Sequence, residues 1–279
     1  MNYKEAYNYG KMQLEDGKIA EASLDARLLL EHVCHTSRND LLVRPLRELT
    51  LEEQSQFEAD IDIRKNHVPL QHITGVQEFM GLEFVVNENV LIPRQDTELL
   101  VEEAMLLLHD RMHILDMCTG SGCILLSLLR YSNECHGVGV DLSEAALEVA
   151  IENSNRLSIN AEFIQSDLFE KIEGKFDLIL SNPPYIKTGE IEFLMEEVKN
   201  HDPRLALDGK EDGLYFYHKI ANEAKKYLHR GGVLLFEIGY DQKDEVVSIM
   251  ERAGYCHVAV KKDLSEMDRV VTGIYLEVN

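Results

Sequence analysis

Short apolar runs alternate with amphipathic helical segments from about residue 113 onward, and this alternation limits the fold more than any other feature of the chain. Strands that alternate with helices predict an α/β domain with a mostly parallel, doubly wound sheet. The last two runs follow each other closely, which predicts an antiparallel strand on that sheet. The expected strands are Ile114–Met117, Val138–Val140, Ala161–Gln165, Phe176–Leu180, Val233–Ile238, Tyr255–Val260 and Val270–Val278.

The first 75 residues show helical patterns only. Thr50 and Glu53 have the spacing of a capping box, and Phe57 and Ile61 then recur on one helical face. A small helical bundle domain is therefore predicted for residues 1–75. Glycines and apolar residues predict a linker or β-hairpin at 76–95, which leaves 96–279 for the α/β domain.

The charge balance bears on possible partners. The chain has 28 Lys and Arg against 50 Asp and Glu, which gives a net charge of −22. Because proteins that grip a nucleic-acid backbone usually present a basic face, no direct nucleic-acid substrate is expected. The excess of acids favours solubility or attraction to a basic protein partner.

Metal binding and membrane insertion are not expected either. The chain has 5 cysteines, an odd number, and none of them has the two-residue gap of a zinc knuckle, so we expect reduced thiols and no metal. The polar amino terminus and the lack of an apolar run of about 20 residues predict a cytoplasmic protein without a membrane span.

A glycine loop follows the first strand of the alternating region. Gly120 and Gly122 lack a Cβ and let a ligand approach the backbone closely. Leu125 stands where a dinucleotide fingerprint needs a third glycine, and no P-loop lysine is present. A nucleoside ligand without phosphates is therefore favoured over a simple tight turn, since Asp141 ends the second strand, where a carboxylate can bind ribose hydroxyls. Asp167, past the third strand, can reach an adenine amino group, and an ordinary turn or cap residue is the alternative interpretation.

The sequence Asn182-Pro-Pro-Tyr185 follows the fourth strand, at the same predicted edge of the sheet. An amide nitrogen is a poor nucleophile, so an enzyme that methylates it must hold its hydrogens with acceptors. The Asn182 side-chain oxygen and a proline carbonyl supply two acceptors. Pro183 and Pro184 fix the backbone and remove competing donors, and Tyr185 offers a flat face for a planar group. The motif predicts methylation of a planar amide or amino nitrogen, with Asn182 and Tyr185 as catalytic residues.

Several further blocks resemble segments of one family, the HemK/PrmC protein-(glutamine-N5) methyltransferases. Asn-Pro-Pro-Tyr is shared with adenine-N6 methyltransferases, whereas the flanking Ile-Pro-Arg and Asp-Pro-Arg sequences single out this family. The resemblance extends over nearly the whole chain. The blocks are Pro69–Gly75, Ile92–Glu98, Asp202–Gly209, Phe236–Gly239 and Asp268–Val271.

The resemblance implies a class I methyltransferase fold with a seven-stranded sheet and S-adenosylmethionine as cofactor, released as S-adenosylhomocysteine. It implies methylation of the glutamine in the Gly-Gly-Gln motif of class-1 peptide chain release factors, with the amino-terminal bundle docking the substrate. Asn182, Pro183, Pro184 and Tyr185 are expected to bind that glutamine. The expected cofactor-binding residues are Cys118, Thr119, Gly120, Ser121, Gly122, Asp141, Asp167, Leu168 and Asn182.

The chain departs from the family pattern at two positions. Cys118 stands where many members carry glycine, and a cysteine is strained there if the backbone needs a positive φ. Asp202 stands where glutamate is expected, and we expect this shorter side chain to alter a contact in the substrate loop.

Other functions remain open on the sequence alone. A glutamine in a ribosomal protein is an alternative substrate, and an adenine-N6 nucleic-acid methyltransferase or a non-catalytic S-adenosylmethionine-binding module is an alternative class. His67, His72 and His201 are interpreted as surface or packing residues, and the Tyr215–Tyr217 cluster as core.

Overall fold

The computed structural model describes residues 1–276, which fall into two compact units. The first unit comprises Met1–Val76 and the separate segment Met195–His201, and the second comprises Gln77–Leu194 and the chain from Asp202 onward. The sequence patterns had assigned residues 195–201 to the α/β domain, so their place in the first unit is new information.

The first unit is helical. Capping boxes start two of its helices: Asn2 with Glu5 starts α1, and Thr50 with Glu53 starts α4, as the spacing of the latter pair predicted. Its core includes Phe57 and other fully buried apolar side chains. Its helices, numbered along the whole chain, are α1 (Tyr3–Asp16), α2 (Ala22–Val33), α3 (Arg38–Val43), α4 (Leu51–Lys65), α5 (Leu70–Thr74) and α9 (Glu196–His201).

A buried ion cluster lies inside this unit. Arg64 of α4 is only 5% exposed, and its guanidinium contacts Asp25 of α2 and Glu197 of α9, each at 2.7 Å. Burial raises the pKa of Asp25, and the hydrogen bond from Arg64 opposes that rise. The cluster therefore fixes the short helix α9 to the helices of the amino-terminal part.

The second unit contains a hairpin and a seven-stranded sheet. A two-stranded sheet lies where the sequence suggested a hairpin or linker. The strands are β1 (Val76–Phe79), β2 (Leu82–Val85), β3 (His113–Met117), β4 (His136–Asp141), β5 (Glu162–Gln165), β6 (Phe176–Ser181), β7 (Leu228–Glu237), β8 (Tyr255–Lys262) and β9 (Asp268–Tyr275). The helices of this unit are α6 (Glu98–Met105), α7 (Cys123–Tyr131), α8 (Glu144–Leu157), α10 (Arg204–Leu207), α11 (Tyr215–Ala224) and α12 (Lys243–Arg252). Two 3₁₀ segments, Gln95–Thr97 and Thr188–Phe193, complete it.

The large sheet has the order β5-β4-β3-β6-β7-β9-β8, and β3 to β7 pair in parallel while β9 is antiparallel to both its neighbours. The predicted mostly parallel sheet of seven strands is confirmed. Residues 277 and 278, at the end of the last predicted strand, lie outside the described residues.

Both faces of the sheet are buried. Successive residues of a strand point to opposite faces, and they belong to two different core clusters. Leu115 and Ile179 belong to the cluster that includes Tyr217 of α11 and Val246 of α12. Ile114, which precedes Leu115 on β3, belongs to the other cluster, which includes buried residues of α6 and α7. Helices on both sides therefore define a doubly wound domain.

The strand β7 begins earlier than its apolar run. Leu228 pairs with Phe176 and Val233 pairs with Leu178, so the intervening polar residues on β7 form an irregularity. Residues 229–231 are exposed, and for this reason the apolar pattern did not include them.

Candidate active site

Three loops meet at one edge of the large sheet, where β3, β4 and β6 end. Met117 of β3 is in register with Val140 of β4 on one side and with Ser181 of β6 on the other. The Ser181 hydroxyl donates to the Met117 carbonyl at 2.7 Å, and the Thr119 amide donates to the Val140 carbonyl at 2.9 Å. The chain leaves β3 in one direction for β4 and in the other for β6, so this edge is a topological switch point, where open α/β sheets bind ligands.

The loop Cys118–Gly122 takes its shape from its backbone. Gly120 and Gly122 have φ angles of +54° and +78°, in the left-handed region that glycine adopts without strain. A Cβ added to Gly120 would meet no atom within 4 Å, so bare backbone faces open space there. Cys118 has a φ of +63°, so this position does favour glycine and the cysteine costs backbone energy.

Two carboxylates support this loop. Asp116 is fully buried and accepts from the Thr119 hydroxyl at 2.6 Å, and burial raises its pKa to about 7. Asp141 accepts from the backbone amides of Gly120 at 3.0 Å and Ser143 at 2.9 Å. Burial raises the pKa of Asp141 too, and these backbone donors oppose the rise. The Asp141 carboxylate is thereby oriented at the end of β4.

The segment Ser181–Tyr185 is held by side chains from other elements. The Asn182 amide nitrogen Nδ2 donates to the Thr97 hydroxyl oxygen at 3.3 Å. The Tyr185 hydroxyl lies 3.5 Å from Oε1 of Glu237, at the end of β7. Burial raises the pKa of Glu237 to about 7, and the Thr97 hydroxyl is the neighbour that lowers it most. Burial and the Glu237 charge also raise the pKa of the Tyr185 hydroxyl.

Gln242 fixes the backbone at the end of this segment. Its Nε2 donates to the carbonyls of Tyr185 at 3.0 Å and Gly213 at 3.3 Å. Its Oε1 accepts from the Gly239 amide at 3.0 Å and the Tyr217 hydroxyl at 3.3 Å. One buried side chain therefore satisfies four groups from three parts of the chain.

Both loops line a single cavity of about 220 Å³. All the predicted cofactor-binding residues line it except Gly122, which instead precedes α7. Of the predicted substrate-binding residues, Asn182 and Pro184 line it, while Pro183 is buried and Tyr185 packs half-buried against the core. The structure thus brings together most, and not all, of the residues selected from the sequence.

The cavity has the chemistry of a nucleoside site. The bare backbone at Gly120 permits close approach, and the oriented carboxylate of Asp141 offers acceptors to paired hydroxyls. Val140, Leu142 and Leu168 add apolar walls that can cover a planar base. These residues fit an adenosine-type ligand.

Sequence reasoning missed several lining residues. Thr97 is buried beside Asn182, and Arg94 joins Asp202 at 2.6 Å, with the Asp202 side chain fully buried. Arg94 and Thr97 both lie in the block Ile92–Glu98, which resembles a segment of the family. That resemblance is the sequence feature from which these two lining residues could have been predicted. The aspartate at position 202 therefore contacts an arginine that itself lines the cavity.

Other predictions concerned residues away from the chemistry. Tyr217 is fully buried as expected, whereas Tyr215 is 43% exposed and Phe216 lines the cavity, so the cluster as a whole is not core. None of His67, His72 and His201 is among the lining residues within the described chain. Residues 1–276 contain no group of three or more His, Cys, Asp or Glu arranged to hold a metal ion.

The fold and the site together define a class I methyltransferase. A methyltransferase of Pyrococcus furiosus has a similar structure, with a TM-score of 0.54 and 17% identity, covering 82% of this chain and 100% of that one. This similarity supports the fold alone.

Sequence comparisons identify the family. The model of the PrmC N-terminal domain matches residues 5–75, and the model of the methyltransferase small domain matches residues 94–210. The release factor glutamine methyltransferase of Caulobacter vibrioides is 40% identical over 96% of this chain and 95% of that protein. That of Clostridium acetobutylicum is 41% identical over 90% of each. The chain therefore belongs to the release factor glutamine methyltransferase family.

Among residues 1–276, no helix combines the length and the apolar character needed to cross a membrane.

Proposed function

We propose that this protein methylates the side-chain amide nitrogen (N5) of the glutamine in the Gly-Gly-Gln motif of class-1 peptide chain release factors. One observation carries the proposal: the Asn-Pro-Pro-Tyr loop and the glycine loop line the same cavity in a chain 40% identical to a release factor glutamine methyltransferase over nearly its full length. Release factors act in translation, so we expect the protein to work in the cytoplasm.

S-adenosylmethionine is the proposed cofactor, and S-adenosylhomocysteine is its product. Its sulfonium supplies an electrophilic methyl group and a good leaving group. Residues 118–121 would hold it by close backbone approach, Asp141 would accept from the ribose hydroxyls, and Asp167 and Leu168 would contact the adenine. The lack of Cβ at Gly120 and the oriented Asp141 carboxylate support this assignment.

Asn182 is the proposed centre of the chemistry. Its side-chain oxygen and a proline carbonyl of the same loop would accept the two hydrogens of the substrate amide, which turns the nitrogen lone pair towards the donor. Tyr185 is not among the lining residues, so it would support the substrate amide through the loop that carries Asn182, and its buried hydroxyl, with a raised pKa, stays protonated at neutral pH. No strong base is needed, since catalysis comes mainly from orientation.

The helical unit is the proposed docking element for the release factor. The net charge of −22 suits a basic protein partner better than a nucleic-acid backbone, which favours this substrate over an adenine base.

The test is methyl transfer from labelled S-adenosylmethionine to a purified class-1 release factor. Parallel reactions contain the release factor with its Gly-Gly-Gln glutamine changed to alanine, ribosomal proteins, and duplex DNA. The enzyme is compared with Asn182→Ala, and with Asn222→Ala on the exposed face of α11 as a matched control.

We expect label on the release factor, none on its Gln→Ala variant, and a loss of about 100-fold or more in Asn182→Ala only. Label on a ribosomal protein or on DNA, and none on the release factor, would show that the labelled molecule is the substrate instead. No label on any acceptor, together with binding of S-adenosylhomocysteine, would favour a non-catalytic binding module.

A further inference from the structure

The orientation of the Asn182 amide matters for the proposed chemistry. A primary amide carries an acceptor oxygen and a donor nitrogen on opposite sides, and only the oxygen can accept a hydrogen from a substrate NH₂. If the group turned over, two donors would face each other and the substrate amide would be repelled. Some feature of the protein must therefore fix which atom faces the cavity.

Thr97 contacts one side of this amide. Asn182 Nδ2 donates to the Thr97 hydroxyl at 3.3 Å, which leaves Oδ1 as the amide atom for the cavity that both residues line. Thr97 is itself only 3% exposed, so water does not compete freely for its hydroxyl. A hydroxyl can donate as well as accept, however, so Thr97 alone does not determine the orientation.

Glu237, whose pKa the Thr97 hydroxyl lowers, favours one of these two directions. Above its pKa of about 7 the Glu237 carboxylate is ionised and only accepts, so it attracts the rotating proton of the Thr97 hydroxyl and leaves the oxygen lone pairs for Asn182. Within residues 1–276 the Glu237 oxygen Oε2 is buried without a direct hydrogen-bond partner, and Thr97 is the hydroxyl that most favours the charged form. The other oxygen, Oε1, faces the hydroxyl of Tyr185.

The turn that carries Thr97 is fixed on both sides. Asp96 pairs with Arg269 of β9 at 3.1 Å, and Glu98 accepts from the Met80 amide at 2.6 Å. Thr97 lies between these anchors, at the end of the segment Gln95–Thr97 and directly before α6. Its hydroxyl is therefore presented by a backbone that has little freedom to move.

We propose that Thr97, backed by the carboxylate of Glu237, is a positioning residue that holds the Asn182 amide with its oxygen towards the substrate nitrogen. The proposal rests on the proposed amide methylation. Thr97 touches neither substrate nor donor in this role and acts through Asn182 alone.

The test compares Thr97→Val, which keeps the shape and removes the hydroxyl, with Thr97→Ser, which keeps the hydroxyl. Glu237→Gln replaces the acceptor-only group by one that can donate to Thr97. Thr272→Val on β9 makes the same chemical change elsewhere and serves as the control. Single-turnover methyl transfer to a class-1 release factor is measured for each at about pH 8, above the pKa of Glu237, with the KM for the release factor and calorimetric affinity for S-adenosylhomocysteine.

A second readout does not depend on activity. The side-chain amide signal of Asn182 in an ¹⁵N-correlated spectrum, assigned by its absence in Asn182→Ala, reports the environment of Nδ2 directly. We expect this signal to shift and its exchange with water to accelerate in Thr97→Val, and to stay close to the parent in Thr97→Ser and Thr272→Val.

We expect the transfer rate to fall roughly 10- to 100-fold in Thr97→Val and Glu237→Gln, with KM and product affinity nearly unchanged, and to recover in Thr97→Ser. An unchanged rate and an unchanged Asn182 signal in Thr97→Val would overturn the inference. So would equal losses in Thr97→Val and Thr97→Ser with weakened product affinity, which indicate a structural role. If the unsubstituted protein transfers no methyl group to any release factor, the proposed function fails first, and the inference falls with it.

Discussion

The two loops that line the cavity are shaped by opposite means. In the loop Cys118–Gly122, three residues have positive φ, and the backbone itself forms the surface. In the segment Ser181–Tyr185, no residue has a positive φ, and the shape comes from prolines and from side chains of distant elements. The first loop should therefore be damaged by added atoms, whereas the second should be damaged by removed hydrogen bonds.

The largest effect is expected from a substitution that removes a support of the second loop, Ser181–Tyr185. Gln242→Leu keeps the size of the side chain but leaves the carbonyls of Tyr185 and Gly213 and the amide of Gly239 without their partner. Each unsatisfied buried group costs on the order of 1–3 kcal/mol, so we expect the free energy of unfolding to fall by about 4 kcal/mol.

Chemical denaturation measures this loss. Gln165→Leu, at an exposed position on β5, is the matched control and should change stability by less than about 0.5 kcal/mol. Equal effects of the two substitutions would contradict the idea that side-chain hydrogen bonds hold the second loop.

The next effect concerns the charge behind the second loop. Burial raises the pKa of Glu237 from 4.5 to about 7, so the folded protein retains a proton that the unfolded chain has lost over this pH range. Stability from this group is therefore fully present below the unfolded pKa and declines as the pH rises towards 7. Relative to Glu237→Gln, the parent should lose about 2 kcal/mol between about pH 5.5 and 8, at 1.36 kcal/mol per pH unit up to the folded pKa.

Unfolding of both proteins across this range measures the difference, and the comparison cancels the similar contribution of Asp116, whose pKa is also raised to about 7. A stability difference that stays constant with pH would show that Glu237 has an ordinary pKa. The expected result would mean that the Glu237 carboxylate behind the second loop destabilises the fold once it is ionised, at a pH above about 7.

The sequence patterns predicted the first loop better than the second, and the reason is range. Glycines and strand-end acids act on their own neighbours, so Gly120 and Asp141 were recognisable in place. The supports of Asn182 and Tyr185 come from Thr97 and Gln242, which lie 85 and 57 residues away. Only folding brings such pairs together, so a linear pattern identified the motif and missed the residues that hold it.

The same limit applies to the fold. Alternation of apolar runs located the strands of the large sheet, because burial on both faces makes the strands continuous and apolar. It missed the start of β7 at Leu228, where exposed polar residues continue the strand, and it missed that Met195–His201 joins the helical unit. The ion pair of Arg64 with Glu197 that holds α9 joins residues 133 apart in the chain.

A smaller effect tests the first loop with one added methyl group. Gly120 and Gly174 have φ angles of +54° and +87°, and a Cβ at either would meet nothing within 4 Å. Substitution by alanine should cost each about 1 kcal/mol of stability through backbone strain. Only Gly120→Ala adds an atom to the cavity surface, so it alone should weaken S-adenosylhomocysteine binding, by about tenfold or roughly 1.4 kcal/mol.

Calorimetric titration measures the affinity, and thermal unfolding measures the stability. Unchanged affinity in Gly120→Ala would mean that the ligand does not approach the backbone at this position. Weakened affinity in both variants would point to a general loss of structure instead.

The smallest effect concerns Cys118, where a side chain occupies a position that favours glycine. Cys118→Gly and Cys118→Ala both remove the sulfur, so their difference isolates the cost of a Cβ at a φ of +63°. That cost is about 1–2 kcal/mol, and the greater freedom of glycine in the unfolded chain offsets part of it. We expect Cys118→Gly to be more stable than Cys118→Ala by about 0.5–1 kcal/mol.

On the strand β8 the order should reverse, with Cys256→Ala more stable than Cys256→Gly, since extended backbone gives glycine no advantage. The same order at both positions would show that backbone conformation does not set the preference for glycine in the first loop.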